Sequence, residues 1–278
     1  MSSPQIQAYI AAMTLTSHVA FITGAGSGLG AAVARRLAAD GATIVVNDMN
    51  AQAATEMATE VGGMAMPFDV TDSSAMDAGV DAAVARFGRL DIFVNNAGIA
   101  PPLNMDRLEI SIKNQMARME GRIADMVPTG AITGLSDNDW DRMIRTHLYG
   151  TFYGIRAAMR HMIAARSGSI INISSVLGQR PEEGPIDYSA AKAGIIAATK
   201  SAAREAAPFG VRVNAVCPGW IDTPLLAQYP DVVMAGIVGQ IGMARMGQAT
   251  EIAELVRFIA GPESSYSNGD VFTASGAF

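Results

Sequence analysis

The sequence predicts an α/β protein: one Rossmann-type, doubly wound parallel sheet of about seven strands, helices on both faces, and an extra helical insertion after the fourth strand. Three observations carry this. Short β-branched runs alternate with helical patterns of about 10–15 residues. A glycine-rich turn stands between the first strand and the first helix. The residues that bear chemistry fall at the C-terminal ends of the strands, the edge where such sheets bind ligands.

At 278 residues the chain is compatible with one large domain and buries roughly three quarters of its unfolded surface. Residues 1–17 read as an N-terminal extension, with a short apolar patch at Ile6 to Met13, and 18–278 as the domain. Half the residues are hydrophobic, yet no apolar run approaches the ~20 needed to span a bilayer. Met1 to Ser17 lacks a basic region followed by an apolar core, so no signal peptide is expected. The single cysteine, Cys217, excludes an internal disulfide and fits a cytoplasmic location; it reads as a small strand residue. A net charge of −6 argues against a nucleic-acid partner. The seventeen methionines read as core filling, and no metal site is expected.

The first strand runs over His18 to Thr23. Gly24, Gly26, Gly28 and Gly30 follow, leading into an alanine-rich helix from about Leu29 to Ala39. Strand, glycine turn and helix start together let backbone N–H groups approach a pyrophosphate. The second strand, Ala42 to Asn47, ends at Asp48, where a carboxylate accepts from adenosine ribose hydroxyls. Asp48 repels a 2′-phosphate, and Asn47, Met49 and Asn50 offer no cation, so NAD is favoured over NADP. The alternative is a strand-end Asp capping the next helix. A helix from Ala51 to Val61, a strand from Met64 to Phe68, and Asp69-Val70 beside the adenine come next. A helix over Ser73 to Phe87, a strand over Leu90 to Val94, and the turn Asn95-Asn96-Ala97-Gly98 complete this half.

The insertion, 101–136, lies within a long connection from Ile99 to Asp137, and such lengths are functional or structured. Met105, Leu108, Ile112, Met116, Met119, Ile123 and Met126 recur at helical spacing, with Pro128 and Gly130 as terminators. Three roles stay open: a lid over substrate, a surface for another subunit, or extra packing on the protein itself. A single helix from Asn138 to Ala165 carries Trp140, His147 and Gly150. Ser169 to Ser175 reads as a buried strand, and Leu177 to Asp187 as a loop.

Tyr188 and Lys192, four residues apart, share a helix face. A free phenol titrates near pH ~10, and a neighbouring cation favours the phenolate, so the pair can make a catalytic acid; an ordinary surface helix is the alternative. A strand end facing this helix start brings the Ser175 hydroxyl beside Tyr188. Val211 to Val216 is the sixth strand and ends in the sharp turn Cys217-Pro218-Gly219. Leu225 to Met246 reads as irregular, either closing over substrate or forming a plain surface loop. Glu251 to Ala260 is a helix, and Asp270 to Thr273 the last strand.

Together, Thr23-Gly24-x-x-x-Gly28-x-Gly30, Asp69, Asn95-Asn96-Ala97-Gly98, Ser175, Tyr188-x-x-x-Lys192 and Pro218-Gly219 with Thr223 resemble the short-chain dehydrogenase/reductase family over about Val19 to Thr273. The resemblance implies reversible hydride transfer between NAD(H) and a secondary alcohol or ketone. It implies Tyr188 as general acid/base, Ser175 holding the substrate oxygen, and Lys192 lowering the tyrosine pKa and binding the nicotinamide ribose. It places cofactor contacts at Gly24, Ser27, Gly28, Leu29, Gly30, Asp48, Asp69, Val70, Asn96, Ala97, Gly98, Tyr188, Lys192, Pro218, Gly219, Ile221 and Thr223. It also implies a homotetramer or homodimer through the Asn138–Ala165 and Tyr188–Pro208 helices.

Two departures stand out. The family carries Asn where this chain has His147, within a water-mediated proton path. The imidazole joins that path, displaces its water, or leaves it unchanged because only the backbone carbonyl matters. The tail, Ser275-Gly276-Ala277-Phe278, also differs from the family's Asp-Gly-Gly, which puts tail contacts in doubt. A mostly apolar pocket is expected from Ile99–Leu103, Trp140–Tyr149, Leu177–Ile186 and Trp220–Val238, with Arg180, Glu182, Glu183 and Asp187 adding polar character at one wall, and no membrane partner is expected. The alternative from another class is a non-catalytic NAD-binding regulator, against which the intact Ser175, Tyr188 and Lys192 argue.

Overall fold

Apolar runs with almost no polar interruption become strands buried on both faces. The computed structural model describes residues 14–101, 103–227 and 229–278; the apolar patch at Ile6 to Met13 lies outside them. Seven parallel strands form the sheet: β1 (Val19–Ile22), β2 (Thr43–Val46), β3 (Met64–Ala65), β4 (Ile92–Asn95), β5 (Gly168–Ile173), β6 (Val211–Pro218) and a last strand (Val271–Ala274). Their spatial order is β3-β2-β1-β4-β5-β6 and then the last strand, reversing direction at β1. Reversal opens a crevice at the C-terminal edge between β1 and β4.

Six helices cover the two faces. On one lie α1 (Gly28–Ala39), α2 (Ala51–Glu60) and the Ala249–Ala260 helix, closing a core that includes Leu37, Ile44, Met57 and Val256. On the other are α3 (Ser73–Phe87) and two longer helices described below, around Phe21, Phe93, Met76 and Met162. Phe21 and Phe93 are directly paired in register, their rings stacked with centroids 5.2 Å apart. A chain of buried amides crosses the middle. Asn95 donates to Asn172 at 2.8 Å, and Asn172 to the Thr199 hydroxyl at 2.8 Å.

Four elements differ from the sequence expectation. The third strand is only two residues long, because Asn47 bends the chain away by donating its amide to the Met66 and Phe68 carbonyls at 2.9 and 3.1 Å. The insertion helix, α4 (Met105–Met119), stops short of Met126. Gly121 at φ +73°, with Arg122 N bonded to Ala117 O and Gly121 N to Arg118 O, makes a Schellman stop. The long helix splits into α5 (Asp137–Ile144), a π turn (Arg145–Tyr149) and α6 (Gly150–Ala165). Single π turns inside helices recur at functional sites, and this one carries His147. Finally, the stretch read as irregular holds a helix (Asp231–Gln240) that is apolar all round and so shows no face.

The remaining helix of the second face, α7 (Ile186–Ala206), packs beside α6 and β6, and no helix among the described residues is long and apolar enough to cross a membrane. Close approach of α6 to the sheet depends on Gly154. A Cβ there would press on Asn95 Oδ1 and stand 2.7 Å from the Phe93 ring. Gly154→Ala is expected to cost about 1–3 kcal/mol, read as a lower denaturation midpoint; an unchanged midpoint contradicts this packing.

Candidate active site

The glycine turn after β1 is shaped by what lies beneath it. Gly24 sits at φ +62°, and a Cβ there would stand 2.7 Å from the Ala97 Cα, so two backbone segments meet at a distance only glycine allows. Thr23 and Asn96 join them. The Thr23 hydroxyl accepts from Asn96 N and Ala97 N at 3.0 and 3.1 Å, and the Asn96 amide donates to the Thr23 and Gly24 carbonyls at 3.0 Å each. Asn96 therefore braces the turn with its side chain. Asp48 closes the other side: Oδ2 accepts from Gly26 N at 3.0 Å and Oδ1 from Asn50 N at 2.9 Å. Helix α2 is capped instead by Asn50, which disposes of the capping alternative for Asp48.

These groups line one cavity of about 1220 Å³ along the C-terminal edge of the sheet. Of the residues expected to contact cofactor, Gly24, Ser27, Gly28, Leu29, Asp48, Asp69, Val70, Asn96, Ala97, Gly98, Tyr188, Lys192, Pro218, Gly219, Ile221 and Thr223 are on its wall. Gly30 is not. A Cβ on Gly30 would run into the Gly24 carbonyl and lie 2.5 Å from the Asn96 amide, so this glycine serves helix-to-turn packing. The wall fits a dinucleotide: a glycine cradle at a helix start, with the Asp48 and Asp69 carboxylates on the same wall. Three arginines, Arg107, Arg142 and Arg145, also line the cavity, and Arg107 donates to the Gly134 carbonyl at 3.0 Å.

At the far end of the cavity stand Ser175, Tyr188, Lys192 and His147. A reciprocal staple sets their positions. The Ser174 hydroxyl donates to the Lys192 carbonyl at 2.8 Å, and Lys192 Nζ donates to the Ile173 carbonyl at 2.9 Å. Lys192 Nζ lies 5.5 Å from the Tyr188 ring centroid. Ser175 caps the one-turn helix Val176–Gly178 by accepting from Leu177 N at 3.2 Å, and its hydroxyl acts on the Tyr188 phenol in the sense that lowers the phenol pKa. The expected lowering of the tyrosine pKa is not what this arrangement produces. Close packing around the ring pushes the phenol up to about 12, with the Ser175 bond acting in the opposite sense. Burial brings Lys192 down to about 7. Two desolvated groups thus both favour their neutral forms. Cys217, behind them, is pushed up by burial, which suits an inert thiol.

The insertion supplies wall that motif reading missed: Asn104, Arg107, Leu108 and Ser111 of α4 and its cap, then Thr129, Ala131 and Leu135. Asn114 ties the returning segment to the helix, donating to Val127 O at 2.6 Å and accepting from Val127 N at 2.9 Å. Its Met105, Ile112, Met116 and Met119 stripe faces outward, 45–83% exposed, while Asn114 and Ala117 are buried. The periodicity therefore marks the outer face of α4. Tyr229, Leu225 and Leu226 close the opposite wall, and Trp140 lies off it. The tail folds back on its own chain: Arg180 donates to the Phe278 backbone oxygen at 2.6 Å, and Phe278 meets Trp220 edge to face. Among the described residues no group of three His, Cys, Asp or Glu side chains is placed to hold a metal ion.

Residues 18–232 match the short chain dehydrogenase family model. The 3-oxoacyl-[acyl-carrier-protein] reductase of Thermotoga maritima is 34% identical, covering 95% of this chain and 98% of that one. The cis-4-hydroxycyclohexanecarboxylate dehydrogenase of Sinomonas cyclohexanicum is 37% identical, over 94% and 96%. A Brucella melitensis crystal structure described as a ribose-5-phosphate isomerase superposes with a TM-score of 0.81 at 31% identity, over 96% and 94% of the two chains.

Folding takes Lys192 from 10.5 to about 7, so between those values the unfolded chain binds more protons than the folded one. Stability from this group rises with pH across that window. Relative to Lys192→Met, the wild-type chain is expected to gain about 2 kcal/mol between about pH 7 and 9, from ~1.4 kcal/mol per pH unit per proton. Parallel denaturation curves across that range would contradict the burial argument.

Proposed function

The chain belongs to the short chain dehydrogenase family of oxidoreductases, and from that premise we propose an NAD-dependent enzyme that interconverts a secondary alcohol and its ketone. The observation that carries this reading is the convergence of Ser175, Tyr188 and stapled Lys192 on one wall of the cavity whose other end is the Gly24–Asp48 cradle. NAD, when bound, supplies the hydride acceptor and donor at its nicotinamide ring.

Everything else falls to the chain's own residues. Gly24, Ser27, Gly28 and Leu29 hold the pyrophosphate at the α1 start, Asp48 the adenosine ribose, and Asp69 with Val70 the adenine. Asn96, Ala97 and Gly98 form the floor, and Pro218, Gly219, Ile221 and Thr223 receive the carboxamide end. The Ser175 hydroxyl orients the substrate oxygen, and Tyr188 Oη moves its proton. Phenolate at Tyr188 is favoured only while Lys192 carries its own proton, so the two ionisations are coupled and titrate as a pair. General acid–base help of this sort is worth about 10²–10⁴ in rate.

A mostly apolar alcohol is supported by Leu103, Leu108, Trp220, Leu226 and Tyr229 on the remaining wall, to which Arg107, Arg142, Arg145, Glu182, Glu183 and Asp187 add polar character. The names of the two relatives, one acting on an oxoacyl group and one on a ring hydroxyl, support a secondary carbinol. The insertion serves as a substrate wall. Pairing through α6 and α7 is supported by exposed apolar side chains on each, Phe152 at 50% and Ile186 at 38%, and a reducing cytoplasm by the free, buried Cys217.

Absorbance assays of NADH formation over a panel of secondary alcohols test this reading. Wild type turns over with NAD⁺ and poorly with NADP⁺, and Tyr188→Phe loses at least about a hundredfold in kcat; full activity in that variant, or no hydride acceptance from any alcohol, overturns the reading. Replacing Met105–Val127 with a short flexible linker is expected to raise KM severalfold, and unchanged kinetics in the folded variant would remove the insertion from the substrate site.

A further inference from the structure

Trp220 follows the Pro218-Gly219 turn and lines the cavity, while Phe278 and Arg180, which back it, stand off the cavity wall. The Phe278 ring meets the indole edge to face, with centroids 6.2 Å apart and planes at 89°. Such a contact orients as well as packs, because the positive edge of one ring seeks the negative face of the other.

The segment that carries Phe278 is anchored on three sides, and each anchor leads to a different stretch of cavity wall. Arg180 donates to the Phe278 backbone oxygen at 2.6 Å, and Gln179 beside it accepts from the Thr273 hydroxyl at 3.0 Å. Those two residues lie between Leu177 and Glu182, both on the wall. Gly219 N donates to Ala274 O at 2.9 Å, and a Cβ on Gly219 would stand 2.8 Å from Ser275 Cα, so the turn bearing Trp220 rests directly on this segment. Met243 N donates to Gly276 O at 3.0 Å, which secures the far end of the stretch that begins with Leu225, Leu226 and Tyr229 on the opposite wall. Ala277 sits at φ +66°, a left-handed setting that a residue with a Cβ keeps only where its surroundings fix it.

We propose that Phe278 is a positioning residue for the substrate wall: it pins the Trp220 indole, and through that contact it limits the size of alcohol the cavity accepts. With the ring in place, an alcohol that needs the indole to turn aside meets a braced wall and is refused. Without it, the indole has room to swing and the cavity enlarges on that side. An apolar pocket discriminates by about 10–200-fold for a single methylene, so a wall that yields gives up selectivity of that order.

The selectivity consequence rests on the dehydrogenase reading; the pinning of Trp220 does not. The chain has two tryptophans, and Trp140 is off the cavity wall, so Trp140→Phe leaves Trp220 as the one fluorescent indole in the full chain. Acrylamide quenching of that indole is expected to rise about twofold in Phe278→Ala and to return in Phe278→Tyr, which restores an aromatic edge. Arg180→Gln, which loosens the hold on the Phe278 backbone oxygen, moves quenching in the same direction. Equal quenching in wild type and Phe278→Ala contradicts the proposal. In the kinetic arm, Phe278→Ala raises the kcat/KM of a bulky secondary alcohol relative to a small one about tenfold, with NADH affinity within about threefold of wild type, and Phe278→Tyr restores the ratio. General loosening of the fold lowers both rates together and leaves the ratio where it was, and that result, or raised quenching with an unchanged ratio, overturns the selectivity role. If no alcohol turns over, the dehydrogenase reading fails while quenching still decides whether Phe278 pins Trp220. If Phe278→Ala does not fold, Arg180→Gln carries both arms.

Discussion

Helix α7 is held to the end of β5 by two hydrogen bonds that run in opposite directions between the same short segments, Ser174 Oγ to Lys192 O and Lys192 Nζ to Ile173 O. Everything proposed for the site depends on this staple. It fixes Lys192 where the side chain is buried and its charged form disfavoured, and it brings Tyr188, one helical turn earlier, beside Ser175 at the strand end. A serine in an extended strand end and a tyrosine in a helix have no local reason to meet. The sheet and the staple supply one.

The same burial makes the electrostatics of the pair depend on context. Desolvation pushes the phenol up and the ammonium down, so proximity of a lysine does not by itself make a phenolate. At the other end of the cavity the Asp48 carboxylate is held in place, accepting from two backbone amides. The cavity thus pairs a braced carboxylate at one end with a desolvated Tyr188–Lys192 pair at the other.

Most of the architecture was legible because parallel strands buried on both faces leave continuous apolar runs and because glycine turns mark their ends. The parallel doubly wound sheet, its ligand-binding edge, and the gathering of Gly24, Asp48, Ser175, Tyr188 and Lys192 along that edge follow from that logic. What escaped has local physical causes. Gly121 stops α4 by a left-handed backbone that its sequence neighbours do not announce. The Asp231–Gln240 helix lacks a polar face, and the π turn at His147 answers to packing against Gly98 and Tyr188. Gly30 fitted the glycine pattern yet serves helix packing. The periodicity of α4 left its role open, and the structure puts Leu108 on the cavity wall while Met105, Ile112, Met116 and Met119 face outward. Direction of the pKa shifts was illegible for the same reason, since desolvation is a tertiary property.

The central claim is that this cavity brings a carbinol carbon against the nicotinamide with Tyr188 at the oxygen. Its most direct test follows a deuterium label from the carbinol carbon of a secondary alcohol into recovered dinucleotide by mass spectrometry. The account predicts one deuterium in the reduced nicotinamide ring, with a primary isotope effect on single-turnover reduction of NAD⁺. Reduced dinucleotide carrying no label, or label released to solvent, would contradict direct hydride transfer at this site.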